Sequence, residues 1–403
     1  MTTAALLADQ VFSDGQVLTH TVVIVDGGTI AGTRPRDRFS PREVDTVYDL
    51  TGCTVLPGLI DAHVHFGSEV DHRPYARLFE ASNLKLIKSV VDARNLLEAG
   101  FTAARDVGGR RAIDLKRAID LHEIPGPRLR CSGRILTSTG GLEDHAYIPQ
   151  EWVAEISDLV EPCDGTEGCA RAVRNQRRNG ADLIKVFTTG ADTVQQFSDE
   201  ELRAIVAEAA RLGMKVSAHA YGGPAVSAAV RAGCYTLEHG SWLTEADCAL
   251  MAEQRTILLP DLAFAHLWVT RGVEYGVPQS SADWERARIK DMRESAAMAH
   301  AMGVRLATGS DFGLRAFARH GRDNALALLL LHDAGIPAPE VLRAATVNAA
   351  AAMELQHTIG KIEPGFTADL VAVRGNPVEH LLDVMNVRFV MKDGRIALNT
   401  TAA

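Results

Sequence analysis

Eight short apolar runs recur through the middle of the chain, each giving way to glycine or polar residues. They read LPGLIDAHVH, FTAARDVG, PRLRCSG, ADLIKVFTTG, KVSAHAYG, YTLEHG, TILLPDLA and VRLATGSD. Each is long enough for a strand and too short for a buried helix. Amphipathic segments such as SDEELRAIVAEAARLG and GPAVSAAVRAG intervene, the first opening on Ser198 as N-cap with Glu201 as its capping-box partner. Eight strands alternating with helices predict an α/β chain folded as a (β/α)8 TIM barrel, here over residues 58–355.

The two ends of the chain follow a different pattern. Residues 1–57 alternate β-type runs with turns, and Asp26-Gly27-Gly28 between two of them is a hairpin signal. Residues 356–403 look like the same material, with a second turn at Asp393-Gly394. These segments predict a small composite β-sandwich domain formed by both termini. A length of 403 residues suits a barrel with such an accessory domain.

Composition excludes some partners. Lys and Arg number 42 against 51 Asp and Glu, so there is no basic excess to replace the counterions of a nucleic acid. No apolar stretch is long enough to cross a membrane, and MTTAALLADQVFSDG lacks the basic start and apolar run of a signal peptide. A cytoplasmic protein without nucleic-acid or membrane partners is therefore expected. The six cysteines form no CxxC pair, and Cys163 and Cys169, which flank DGTEG, are expected as reduced thiols.

In a (β/α)8 barrel the chemistry sits where the strands end. Five of the runs carry metal-ligand or ionisable side chains there. His63 and His65 close the first run, and residues i and i+2 of a strand share one face. Lys185 lies in the fourth run, His219 in the fifth, His239 in the sixth and Asp311 in the eighth. Singly, each has an ordinary structural reading: a satisfied core histidine, a turn aspartate, a snorkelling or ion-paired lysine. Together, four imidazoles and a carboxylate at one end of a barrel suit a divalent transition metal such as zinc. Lys185 remains the anomaly, because a buried ammonium costs several kcal/mol unless its charge is taken up or used.

The motifs PGLIDAHVH, ADLIKVFTTG, AHAYG, EHG, GSDFG and IGKIEPGFTADLVAV resemble the amidohydrolase superfamily. Within it they are similar to the imidazolonepropionase-related branch that includes metal-dependent Xaa-Pro and carboxypeptidase-like dipeptidases. The resemblance spans nearly the whole chain. It implies a barrel with a composite β-sandwich, a binuclear metal centre, and hydrolysis of amide, ester or carbamate bonds. By that resemblance His63, His65 and Asp311 hold the more buried metal, and His219 and His239 the more exposed one. Lys185 takes the position that carries a CO2-derived carbamate bridging both. The ions are zinc by default, with manganese, cobalt, nickel and iron also compatible. A hydroxide bridging the metals attacks the scissile carbonyl, and Asp311 passes its proton to the leaving amine. Tyr221 and His145 match substrate-contact positions, although "LED" before His145 departs from the family pattern.

The expected activity is cleavage of an amide-type C–N bond in a small molecule, a dipeptide or N-acyl amino acid. A carbamate, thiocarbamate, urea or aryl amide is the alternative substrate. Single-metal imidazolonepropionase-like or deaminase chemistry is a third reading, and Lys185 weighs against it. Relatives of this kind are often oligomers, which leaves a homo-oligomer open. Arg319 and His320 are placed near the mouth without a role, and Arg105-Asp106 reads as a structural arginine–carboxylate contact.

Overall fold

The computed structural model of the protein describes residues 2–69, 80–144, 149, 158–190 and 193–401. Four strands open the chain: β1 (Thr3–Ser13), β2 (Gln16–Asp26), β3 (Thr29–Pro35) and β4 (Thr46–Pro57). Asp26 pairs with Thr29 across Gly27-Gly28, so the hairpin lies where the sequence places it. β1 pairs parallel with β4, and the register shifts between Ala8 and Gln10. That shift lets Leu6, Ala8 and Val11 pack into one apolar cluster while the adjacent Phe12 joins another.

Parallel strands and helices then alternate. β5 (Leu59–Glu69), β6 (Phe101–Asp106) and β7 (Arg128–Cys131) are followed by two short strands, β8 (Ile135–Thr137) and β9 (Val160–Pro162). Next come β10 (Ile184–Phe187), β11 (Val216–Gly222), β12 (Thr236–Trp242), β13 (Ile257–Leu259) and β14 (Phe312–Leu314). They form a six-stranded sheet ordered β13-β12-β11-β10-β8-β9 and a four-stranded sheet ordered β14-β5-β6-β7. Backbone hydrogen bonds link the two at both sides. Asp182 N donates to Cys131 O at 2.8 Å, while Ala307 N donates to Leu258 O and Ala62 N to Thr308 O, both at 2.9 Å.

The helices obey their local signals. Asp199–Arg211 starts on a capping box in which Ser198 N donates to Glu201 Oε2 at 2.8 Å and Glu201 N to Ser198 Oγ at 3.3 Å. Its buried Leu202, Ile205 and Ala209 follow helical spacing.

One expected strand departs from its pattern. VRLATGSD contributes a single bridge, Leu258 to Leu306, and regular pairing resumes only at Phe312. The reason lies at its end, where Ser310 N and Asp311 N both donate to His63 O, at 3.2 and 2.8 Å, and Asp311 turns left-handed. Strands β8 and β9, of three residues each, are not expected from the sequence.

The chain closes with β15 (Leu370–Arg374), β16 (Val387–Lys392) and β17 (Arg395–Asn399). They join the N-terminal strands in one seven-stranded sheet, ordered β17-β16-β15-β4-β1-β2-β3. Asp393 and Gly394, at φ 52° and 72°, make the turn between β16 and β17. Arg128 on β7 ties this sheet to the parallel strands through Asp393 and through Asp369, 3.5 Å away. All six cysteines are buried free thiols. No helix among the described residues is long and apolar enough to cross a membrane.

Candidate metal centre

Alternation along β5 puts Asp61, His63 and His65 on one face. His63 and His65 meet Asp311 at one point: His63 Nε2 lies 3.2 Å and His65 Nε2 3.3 Å from Asp311 Oδ1. His63 Nδ1, on the far side of the ring, lies 2.8 Å from both Glu238 Oε2 and Asp261 Oδ2. With Nδ1 hydrogen-bonded to Glu238 and close to Asp261, Nε2 is the ring atom turned toward Asp311, where a cation could take the place of a proton. Two compact groups that could hold a cation therefore share His63: His63, His65 and Asp311, and His63, Glu238 and Asp261.

The facing wall comes from β10, β11 and β12. Lys185 pairs with Ser217, and Ser217 with Thr236, so these three align across neighbouring strands. His219 pairs with Phe187 on one side and Glu238 on the other. Glu238 and His239 are adjacent and in an unbroken strand would point apart. Both reach the site because His239 adopts φ 72° and swings its ring to 4.5 Å from that of His219 and 5.5 Å from that of His63. Asp261 and Asp311 are also left-handed, at φ 52° and 57°. Strain at three non-glycine positions of one site marks a functional constraint.

Glu238 is the hub of a buried network. Its Oε1 accepts from Thr236 Oγ1 at 2.6 Å, Ser217 Oγ at 2.7 Å and Arg105 Nη2 at 2.8 Å. Arg105 also donates from Nε to Ala62 O at 2.6 Å. The arginine–carboxylate contact expected at Arg105-Asp106 thus exists, but with Glu238. Asp106 instead accepts from Phe66 N at 2.8 Å and Gly108 N at 3.1 Å, fixing the turn behind His65.

Charge follows from this packing. Burial alone would lower the His63 pKa, yet Asp261 and Asp311 raise it well above the usual imidazole range. Burial would raise the Asp311 carboxyl, but His63 and His65 hold it well below. His219 and His239 are pushed far down by burial and keep neutral, ligand-competent rings. Burial also lowers Lys185, against the pull of Glu238 and Asp261. Lys185 is 1% exposed, and among the described residues neither its Nζ nor His219 Nε2 has a hydrogen-bond partner. A carboxylate-rich field that draws a proton onto buried His63, beside orphaned Lys185 and His219, fits divalent cations.

Other expected contacts divide. Tyr221 lies against the site, its ring 4.5 Å from His219 and 5.3 Å from His239. Its phenol is pushed up to about 12 by burial and stays a proton donor. His145 lies outside the described residues. His320 is buried between Phe66 and Phe312, and burial lowers its pKa to about 3. The sequence reading missed Glu238 and Asp261. Asp261, a carboxylate near the end of TILLPDLA, carries a signal in the sequence, whereas Glu238, directly before His239 in LEHG, carries none.

The sequence profile of the Amidohydrolase family matches residues 54–397. The chain belongs to this family. It is 30% identical to ochratoxinase of Aspergillus niger over 399 residues, covering 91% of this chain and 80% of that one. The crystal structure of that ochratoxinase superposes with a TM-score of 0.89 at 26% identity, covering 99% of this chain and 96% of that one. A Xaa-Pro dipeptidase crystallised with methionine in its active site gives 0.88 at 28% identity, with coverage of 98% and 99%. A prolidase complexed with N-methylphosphonate-L-proline gives 0.89 at 30% identity, with coverage of 98% and 99%. This amidohydrolase is accordingly a hydrolase of amide bonds with an α/β fold.

Proposed function

We propose that the protein is a binuclear metal-dependent hydrolase that cleaves the amide-type C–N bond of a dipeptide or N-acyl amino acid. The observation that carries this reading is Lys185, a buried amine amid imidazoles and carboxylates that has no hydrogen-bond partner among the described residues. Its lowered pKa favours the neutral amine, the form that adds CO2: an Nζ–C bond forms, a proton leaves, and a carbamate anion results. His63, His65 and Asp311 would hold one divalent ion, zinc by default, and His219 and His239 the second, with the carbamate between them. When bound, such ions would supply Lewis-acid chemistry, activating a water nucleophile and polarising the scissile carbonyl.

The side chains do the remaining work. Glu238 and Asp261 fix the His63 ring so that Nε2 faces inward. Asp311, ionised, takes a proton from the attacking water and then delivers it to the departing nitrogen. Tyr221, protonated, donates a hydrogen bond to the substrate's carbonyl or carboxylate oxygen. The same reading takes residues 58–355 as a (β/α)8 barrel and residues 1–57 with 356–403 as a composite β-sandwich domain.

The test is a panel of dipeptides, N-acyl amino acids, carbamates and ureas given to metal-stripped and metal-reloaded enzyme. Metal-dependent release of a free amino acid from the first two classes is expected. Turnover confined to carbamates or ureas refutes the substrate class, and ammonia release without amide cleavage refutes the reaction.

A further inference from the structure

A continuous run of aromatic rings leads outward from the imidazoles of the centre. Tyr221 lies against His219 and His239, then touches Trp242 at 6.2 Å and Trp284 at 6.3 Å between ring centroids. The two indoles meet edge to face at 6.2 Å and 77°. Trp284, on the helix Gln279–Ala301, is 41% exposed and so carries the run of rings out to solvent. Trp242 is fixed by its Nε1–H donating to Asp291 Oδ2 at 2.6 Å. Gly222 admits it, since a Cβ there would meet Trp242 Cβ at 2.8 Å.

The charge beside these rings is already engaged. The Arg288 guanidinium lies 4.6 Å from the Tyr221 centroid and 5.4 Å from that of Trp284. Its Nε and Nη2 donate to Glu285 at 2.5 and 2.6 Å, and its Nη1 to Ser241 at 3.0 Å. It is 5% exposed and neutralised in place, so it stiffens the rings rather than offering a clamp to a substrate carboxylate. The Arg288 side of this surface is therefore rigid and aromatic, with its one guanidinium already engaged.

We propose that Tyr221, Trp242 and Trp284 form a subsite that seats an aromatic ring carried by the substrate next to its scissile bond. The proposal rests on the amide-hydrolase reading and narrows it to substrates with an aromatic residue. Pre-fixed rings add contact area with little ordering cost, so a flat ring is favoured over an aliphatic chain of similar bulk.

The test uses zinc-loaded protein and two product-like probes, L-phenylalanine and L-leucine, titrated calorimetrically. Phenylalanine is expected to bind about tenfold more tightly, the size of one well-placed ring pair. Trp284→Ala should lower that ratio about fivefold or more, and Trp284→Phe should restore most of it. Equal affinities in the wild type, or a ratio unchanged by Trp284→Ala, overturn the subsite. Hydrolysis of N-acetyl-L-phenylalanine and N-acetyl-L-leucine separates the two readings. A binding preference without turnover of either compound or of the matching Ala-Phe and Ala-Leu dipeptides sinks the hydrolase reading and keeps the subsite. Equal turnover of both without a binding preference does the reverse.

Discussion

His63 illustrates how single residues set this site. One ring nitrogen faces Glu238 and Asp261 and the other faces Asp311, so its orientation is held before any ligand arrives. Glu238→Gln should leave the fold intact by circular dichroism yet weaken metal affinity about 10–100-fold in a chelator competition. An unchanged affinity would show that the network does not orient the ligand. Lys185→Ala should lose most of the bound metal and the activity, with partial recovery on adding a short carboxylic acid; full activity without the acid contradicts the bridging role. The strand-end residues were legible because HVH spacing and recurrent His or Asp at strand ends are periodic features. Glu238 was not, because strand alternation assigns it the face opposite His239. Only the left-handed turn at His239 brings both inward.

At the scale of elements, the segment before Asp311 matters most. VRLATGSD has the composition of a strand, yet Gly309 sits so close to its neighbours that a Cβ would meet Asp261 Oδ1 at 2.2 Å and His63 Cβ at 2.6 Å. No local pattern in the sequence announces that approach, because it depends on β5 and on Asp261, the second residue after β13. Gly309→Ala should cost about 1–3 kcal/mol by denaturant unfolding and lower metal loading. Full stability and full loading together would mean that the three segments are not packed this closely. Asp61 serves the same junction, accepting from Asn324 Nδ2 at 2.7 Å and Ser310 N at 3.0 Å. The hairpins and the helix capped by Ser198 were legible for the opposite reason, since their determinants lie within four residues of each other.

Across the whole molecule, the terminal sheet and the parallel strands are joined by buried charge as well as apolar contact. Arg128 bridges Asp369 and Asp393, and Asp369 is almost fully buried. Arg128→Ala should destabilise the protein by about 1–3 kcal/mol, less than a fully buried pair because the arginine is partly exposed, as read from urea unfolding. A loss below about 0.5 kcal/mol would show that the apolar contacts suffice. The central claim, that Lys185 as a carbamate joins two metal ions, is tested most directly by native mass spectrometry of protein reconstituted with zinc and bicarbonate. The account predicts the mass of the chain plus two zinc ions and one CO2, with the CO2 absent from Lys185→Ala. A wild-type chain carrying a single metal ion and no CO2 would contradict it.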